Sequence, residues 1–170
     1  TPAVSANIAT GFHAGDPDWM AKTVALAVDN SVGIGAHPAY PDLAGFGRRN
    51  MDLTPAEVHN AVTYQVGALA AFAPNRKLQH VKPHGALYNT AVRDAGVAEA
   101  IVLAVKAFDP NLIHVVLAGS QWEQIARSHG VRVARECYAD RAVTAEGTLV
   151  PRSQPGAVVH DPDEAVARSL

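Results

Sequence analysis

Leu112-Ile-His-Val-Val-Leu-Ala-Gly-Ser-Gln-Trp-Glu-Gln-Ile-Ala-Arg-Ser-His-Gly130 is the stretch that decides the fold. Its first seven residues are almost wholly apolar, too short for a buried helix and rich in β-branched side chains. Such a run is a strand covered on both faces, which is the signature of a parallel sheet. Gly119-Ser120 then turns the chain into a short helix, and Gly130 closes it. Val131–Glu136 follows as the next strand. The unit is strand, helix, strand.

Working outward, the same unit recurs. Val4–Ala9 reads as a strand, and Asp16-Pro17 opens a helix with Asp as N-cap and Pro at the first helical position. Met20, Val24, Ala27 and Val28 give that helix one apolar face. Asn30 to Gly33 stops it, and Gly33–His37 is a second strand. Residues 38–53 form a loop rich in Pro, Gly and Asp. Thr54-Pro55-Ala56-Glu57 is a capping box for a helix to about Phe72, with Val58, Val62, Val66, Leu69 and Phe72 as its buried stripe. Leu78–Lys82 is a third strand. The loop Pro83–Asn89 leads into one helix ending near Phe108, before the turn Asp109-Pro110-Asn111. Residues 139–156 read as a long loop, Ala157–His160 as a sixth short strand, and Asp161-Pro162-Asp-Glu164 as another helix start. No linker interrupts the pattern, so residues 1–170 are expected to be one α/β domain. A start at a strand and a last helix without a stop signal suggest a domain cut at both ends.

Composition narrows the function. The chain has 170 residues, 48% hydrophobic and 18% charged, which excludes a disordered protein. No apolar run reaches the roughly 20 residues of a membrane span. Fourteen Lys+Arg against 16 Asp+Glu, with no basic cluster beyond Arg48-Arg49, leave no footprint for nucleic acid. A single cysteine, Cys137, and no signal peptide fit a reducing compartment, the cytoplasm. Cys137 lacks an evident partner and is expected to be a buried, inert thiol.

Ligands of parallel α/β folds sit beyond the carboxyl ends of the strands, and the unusual polar residues fall there. His13 and Asp16 follow the first strand. His37, Tyr40 and Asp42, then Arg48 and Arg49, follow the second. Lys82, His84, Tyr88 and Asn89 follow the third, Gly119-Ser120 the fourth, and Tyr138, Asp140 and Arg141 the fifth. Histidines on adjacent strand ends can act as general acid and base or ligate a divalent metal, for which His13 and His37 are the candidates. Lys82 can hold a carboxylate or polarise a carbonyl, since an unpaired ammonium is costly to bury. His59, His80, His114, His129 and His160 read as structural or solvated. There is no His-Glu-x-x-His, Cys pair, phosphate-binding loop, dinucleotide fingerprint or nucleophile elbow.

Ser5-Ala-Asn-Ile-Ala-Thr-Gly-Phe-His-Ala-Gly-Asp-Pro17 strongly resembles the first signature of the LamB/YcsF family. Gly35–Arg49, His80–Asn89 and Tyr138-Ala-Asp-Arg141 resemble other family segments, and Gly147-Thr-Leu-Val-Pro-Arg-Ser153 resembles its late loop. Thr10 stands where the family usually has cysteine. The family's first strand and its C-terminal segment are not in this sequence. The resemblance implies an irregular (β/α) barrel of the glycoside hydrolase/deacetylase type, incomplete here. It also implies ATP-dependent opening of the lactam 5-oxoproline to L-glutamate, with ATP and Mg²⁺, in an assembly with two partner subunits, B and C.

On that reading His84, Lys82, His13, His37 and Asp16 are the expected catalytic residues. His84 is the acid/base group, Lys82 meets phosphate or carboxylate, and Asp16 with His13 orients water or Mg²⁺. Arg48, Arg49, Tyr40, Tyr88, Asp140, Arg141 and Arg152 are the expected substrate- and phosphate-binding residues. Two other readings use the same residues: a metal-dependent C–N hydrolase acting without ATP, and a non-catalytic binding fragment.

Overall fold

The computed structural model describes residues 3–144, 147–150 and 154–169. Among them, five strands form one sheet in the order β1-β2-β3-β4-β5: β1 (Ser5–Ala9), β2 (Gly33–His37), β3 (His80–Val81), β4 (Ile113–Leu117) and β5 (Arg132–Glu136). All four pairings are parallel. The order follows the sequence without reversal. That is the winding of a barrel wall, whereas a doubly wound sheet reverses at a switch point. Central β3 is short as a strand. Its ladder nevertheless extends one residue each way, since Gln79 donates to the Ile34 carbonyl at 2.7 Å and Lys82 to the Ala36 carbonyl at 2.9 Å.

Six α-helices among the described residues connect and cover the strands: α1 (Pro17–Asp29), α2 (Pro55–Ala70), α3 (Gly85–Arg93), α4 (Ala95–Phe108), α5 (Gln121–Ser128) and α6 (Pro162–Ser169). The start signals work as their chemistry requires. The Asp16 carboxylate accepts from the Trp19 amide at 2.8 Å. Thr54 and Glu57 cap each other's amides at 3.3 and 2.8 Å. Ser120 accepts from the Glu123 amide at 3.2 Å. Val58, Val62, Val66 and Leu69 of α2 are buried with Ala98, Val102 and Val105 of α4 in one core that includes Ile34, Ala36 and Val81 of the sheet.

Four expectations are corrected. The helix expected up to Phe108 is two helices, because Asp94 ends α3 and caps α4 by accepting from the Val97 amide at 3.1 Å. α2 stops at Ala70, so Phe72 leaves its stripe and is 39% exposed. Val158 makes only an isolated antiparallel bridge to Arg141, so residues 157–160 add no strand to the sheet. Cys137 is exposed, because among the described residues β5 pairs with β4 alone and its outer side is open.

Candidate active site

The loops after β1, β2 and β3 meet over the carboxyl end of the sheet, and buried polar residues hold them there. Gln65 of α2 is fully buried. Its side-chain oxygen accepts from the Thr10 hydroxyl and the Ala39 amide, both at 2.9 Å, and its NH₂ donates to the Ala39 carbonyl at 2.9 Å. One side chain thus ties the first loop to the second. Within the second loop, Asp42 accepts from the Gly45 amide at 2.9 Å and pairs with the Arg49 guanidinium. The guanidinium holds its carboxyl down at about 2.

This loop ends in a turn with positive φ at both Phe46 (55°) and Gly47 (66°). A side chain at position 47 would meet His13 Cβ at 2.8 Å and His84 Cδ2 at 2.9 Å, so only glycine lets the turn approach the rings so closely. The turn aims the Phe46 carbonyl at His84, whose Nε2–H donates to it at 2.8 Å.

Three imidazoles converge at this turn. His84 and His13 stack with centroids 3.9 Å apart and planes within 8°. His37 stands edge-on to both. His37 Nδ1–H donates to the Lys82 carbonyl, and its Nε2 lies 3.0 Å from His84 Nδ1. One nitrogen from each of the three rings lies within 4.8 Å of the others. Burial, with like-charge repulsion from His84 next, lowers His13 to about 4. Burial likewise lowers His37 to about 3 and shifts His84 down. At neutral pH the cluster is a set of uncharged imidazoles.

His37 and His84 open onto a cleft of about 490 Å³, lined also by Lys82, Tyr88, Arg48 and Arg141. The Lys82 ammonium is paired with the carboxylate of Glu136 at the end of β5. Tyr138 donates its hydroxyl to the other Glu136 oxygen at 2.8 Å and presents its ring 5.5 Å from the ammonium. Arg141 is fixed by the carbonyls of Val150, at 2.7 Å, and Ala157. Arg48 lies 5.4 Å from the Phe46 ring centroid. The cleft, which Arg93 also lines, therefore joins uncharged imidazoles to three guanidiniums, a surface suited to an anion with a reactive group beside it.

The expected site residues divide sharply. His37, His84, Lys82, Tyr88, Arg48 and Arg141 line the cleft, and His13 backs the imidazole cluster. Asp16 is an exposed N-cap outside that lining, and Asp140 is exposed and also outside it. Tyr40 is buried in the core and is not part of the cleft lining. Arg49 is turned to Asp42, organising the loop rather than the cleft. Arg152 lies outside the described residues. Glu136 and Gln65 escaped the sequence reading. Glu136 ends an edge strand among arginines, and Gln65 sits on a helix between apolar residues. The Glu136–Lys82 and Gln65–Thr10 contacts each span more than fifty positions.

Comparison with known proteins gives this arrangement a lineage. The family model described as LamB/YcsF matches residues 3–170. The chain belongs to the LamB/YcsF family. Among family relatives, a protein of Syntrophobacter fumaroxidans, named as the A subunit of 5-oxoprolinase, is 56% identical over 98% of this chain. One of Pyrococcus furiosus with the same name is 57% identical over 98% of it. The chain spans 66% of the length of each. The crystal structure of a lactam utilization protein from Thermus thermophilus superposes with a TM-score of 0.89 at 52% identity. That match covers 98% of this chain and 68% of the solved one. Within LamB/YcsF the cleft residues are therefore read against proteins whose names point to a lactam.

Proposed function

We propose that this chain is the catalytic core of the A component of a 5-oxoprolinase, a cytoplasmic hydrolase opening 5-oxoproline to L-glutamate with hydrolysis of ATP. The observation that carries the reading is identity of 56–57% over 98% of the chain to proteins of that name. The unreversed strand order supports the irregular (β/α) barrel that accompanies it. A relative named as one lettered subunit supports an assembly, read here as one with subunits B and C.

A lactam is a poor electrophile, and ATP with Mg²⁺, when bound, supplies the phosphoryl group that activates its oxygen. The residues of this chain serve the rest. Arg48 and Arg141 meet the anionic groups, carboxylate or phosphate, at the open side of the cleft. Lys82, neutralised by Glu136, orients rather than adds charge. The imidazole cluster, uncharged and partly shielded from solvent, handles water and the proton that the leaving nitrogen needs.

Glutamate release from 5-oxoproline, measured with ATP, Mg²⁺ and both partner subunits, tests the reading. Turnover that needs all components and falls at least about 100-fold in His84→Ala supports it. No release from an assembled complex rejects 5-oxoproline as substrate. Release that ignores ATP establishes the ATP-independent hydrolase instead, a reading the imidazole cluster also favours.

A further inference from the structure

The contact between His37 and His84 poses a problem of protons. The Lys82 carbonyl can only accept, so His37 carries its proton on Nδ1 and has a lone pair on Nε2. The Phe46 carbonyl can only accept, so His84 carries its proton on Nε2 and has a lone pair on Nδ1. These two lone-pair nitrogens are the ones 3.0 Å apart. Two neutral rings so fixed offer no hydrogen to the contact and repel. Neither can turn over without breaking its bond to a carbonyl. A positive charge where both lone pairs point, a shared proton or a metal ion, removes that repulsion.

A third imidazole lies against them: His13 stacks on His84, its ring 3.9 Å away and nearly parallel, and turns about its side-chain torsions to bring a lone pair to the same point. His13 is 3% exposed, its Nδ1 has no hydrogen-bond partner, and a nitrogen of its ring lies within 4.8 Å of the other two. Two nitrogens bound at about 2.1 Å to one ion lie about 3.4 Å apart at the tetrahedral angle and about 3.0 Å apart at the right angle of higher coordination, so the 3.0 Å separation here is at the close end of a shared-ion geometry. Bonds from the far ring nitrogens to carbonyls are also the usual way in which metal-binding imidazoles are held.

We propose that His13, His37 and His84 form a binding site for one divalent transition-metal ion of the zinc class. Three imidazoles suit zinc, cobalt, nickel or iron and do not suit Mg²⁺, which takes oxygen ligands. His37 and His84 also line the cleft, so the remaining coordination positions face the volume that receives the substrate. The site is separate from the Mg²⁺ that accompanies ATP. It rests on side-chain geometry alone and stands or falls independently of 5-oxoproline as substrate.

The test is made on the full chain, prepared without a polyhistidine tag, stripped with chelator and titrated with Zn²⁺ alone, then with Co²⁺ alone. One equivalent of each is expected, and Co²⁺ gains the visible ligand-field bands of a nitrogen-rich site. His37→Gln and His84→Gln, checked for folding by circular dichroism, weaken binding beyond the roughly 100-fold that loss of an outer hydrogen-bond partner costs. His59→Gln on the surface of α2 leaves it unchanged. X-ray absorption of the Zn²⁺-loaded wild type keeps the test sound if the variants do not fold, and shows at least three imidazole nitrogens. Failure to retain an equivalent of either ion overturns the proposal. So does affinity unaltered in both variants, or an imidazole proton shared by His37 and His84 in the presence of Zn²⁺.

Discussion

The Lys82 ammonium and the Glu136 carboxylate are paired across the intervening strand β4, each side chain less than one-fifth exposed. The pair neutralises a lysine in a cleft that already holds Arg48 and Arg141. It also links the ends of β3 and β5. Glu136→Gln leaves the ammonium without a counter-charge. The variant is expected to lose about 2 kcal/mol of stability, between the cost for an exposed pair and that for a fully buried one. Turnover falls as Lys82 moves off its position. Denaturant unfolding and steady-state kinetics check the two effects separately, and unchanged kinetics would remove the pair from the working site.

Gln65 satisfies polar groups from two loops at once, so its removal is expected to cost more than one hydrogen bond. Gln65→Leu keeps the volume but leaves the Ala39 amide and carbonyl unpaired in a buried place and the Thr10 hydroxyl with only its long 3.4 Å bond to the His37 carbonyl. A loss of about 2–4 kcal/mol follows. Its mark is faster amide exchange at Ala39 and nearby loop positions, read by hydrogen–deuterium exchange. Exchange unchanged there would show that the loops hold without it.

Glycine substitutions separate backbone strain from crowding. Gly47 and Gly119 both have positive φ, but of the two only at Gly47 would a Cβ strike neighbours, the side chains of His13 and His84. Gly119→Ala is expected to cost about 1 kcal/mol and spare activity. Gly47→Ala costs more and abolishes turnover, because the rings must shift. Equal activity in both variants contradicts the packing described.

His114 gives a pH signature remote from the cleft. Burial in β4 lowers it from 6.5 to about 4. The unfolded chain therefore binds its proton first on acidification. The stability from this group is whole above pH 6.5 and lost as the pH falls toward about 4, up to about 3 kcal/mol in all. His114→Leu should flatten the slope of unfolding free energy against pH over that window. The same slope in both proteins would mean that His114 is not the group responsible.

Much of this was readable from the residues. Capping signals such as Asp16-Pro17 and Thr54-Pro55-Ala56-Glu57 are local chemistry, and the helices begin where they fall. Apolar runs marked the strands, and the residues just beyond them supplied His13, His37 and His84. Asp94 was hidden because apolar spacing continues on both sides of it, while one residue serves two helix ends, its amide donating to the Thr90 carbonyl of α3 and its carboxylate capping α4. Tyr40, Arg49 and Asp140 follow strands as the cleft residues do, and position alone does not say which way a loop residue turns. Glu136 and Gln65 act through partners far along the chain, which spacing cannot reveal. The direction of the ring protons in His37 and His84 is set by two main-chain carbonyls and has no sequence signal at all.

The imidazole cluster draws its rings from positions 13, 37 and 84, and the hydrogen-bond-range contact between His37 and His84 spans 47 residues. No helix or hairpin formed early can contain it. Two loops must close and three parallel strands must register before the rings meet, and such closures are among the slower events of folding. Refolding followed at the cluster should therefore lag the return of helical signal, making these three rings a late clock for the whole sheet.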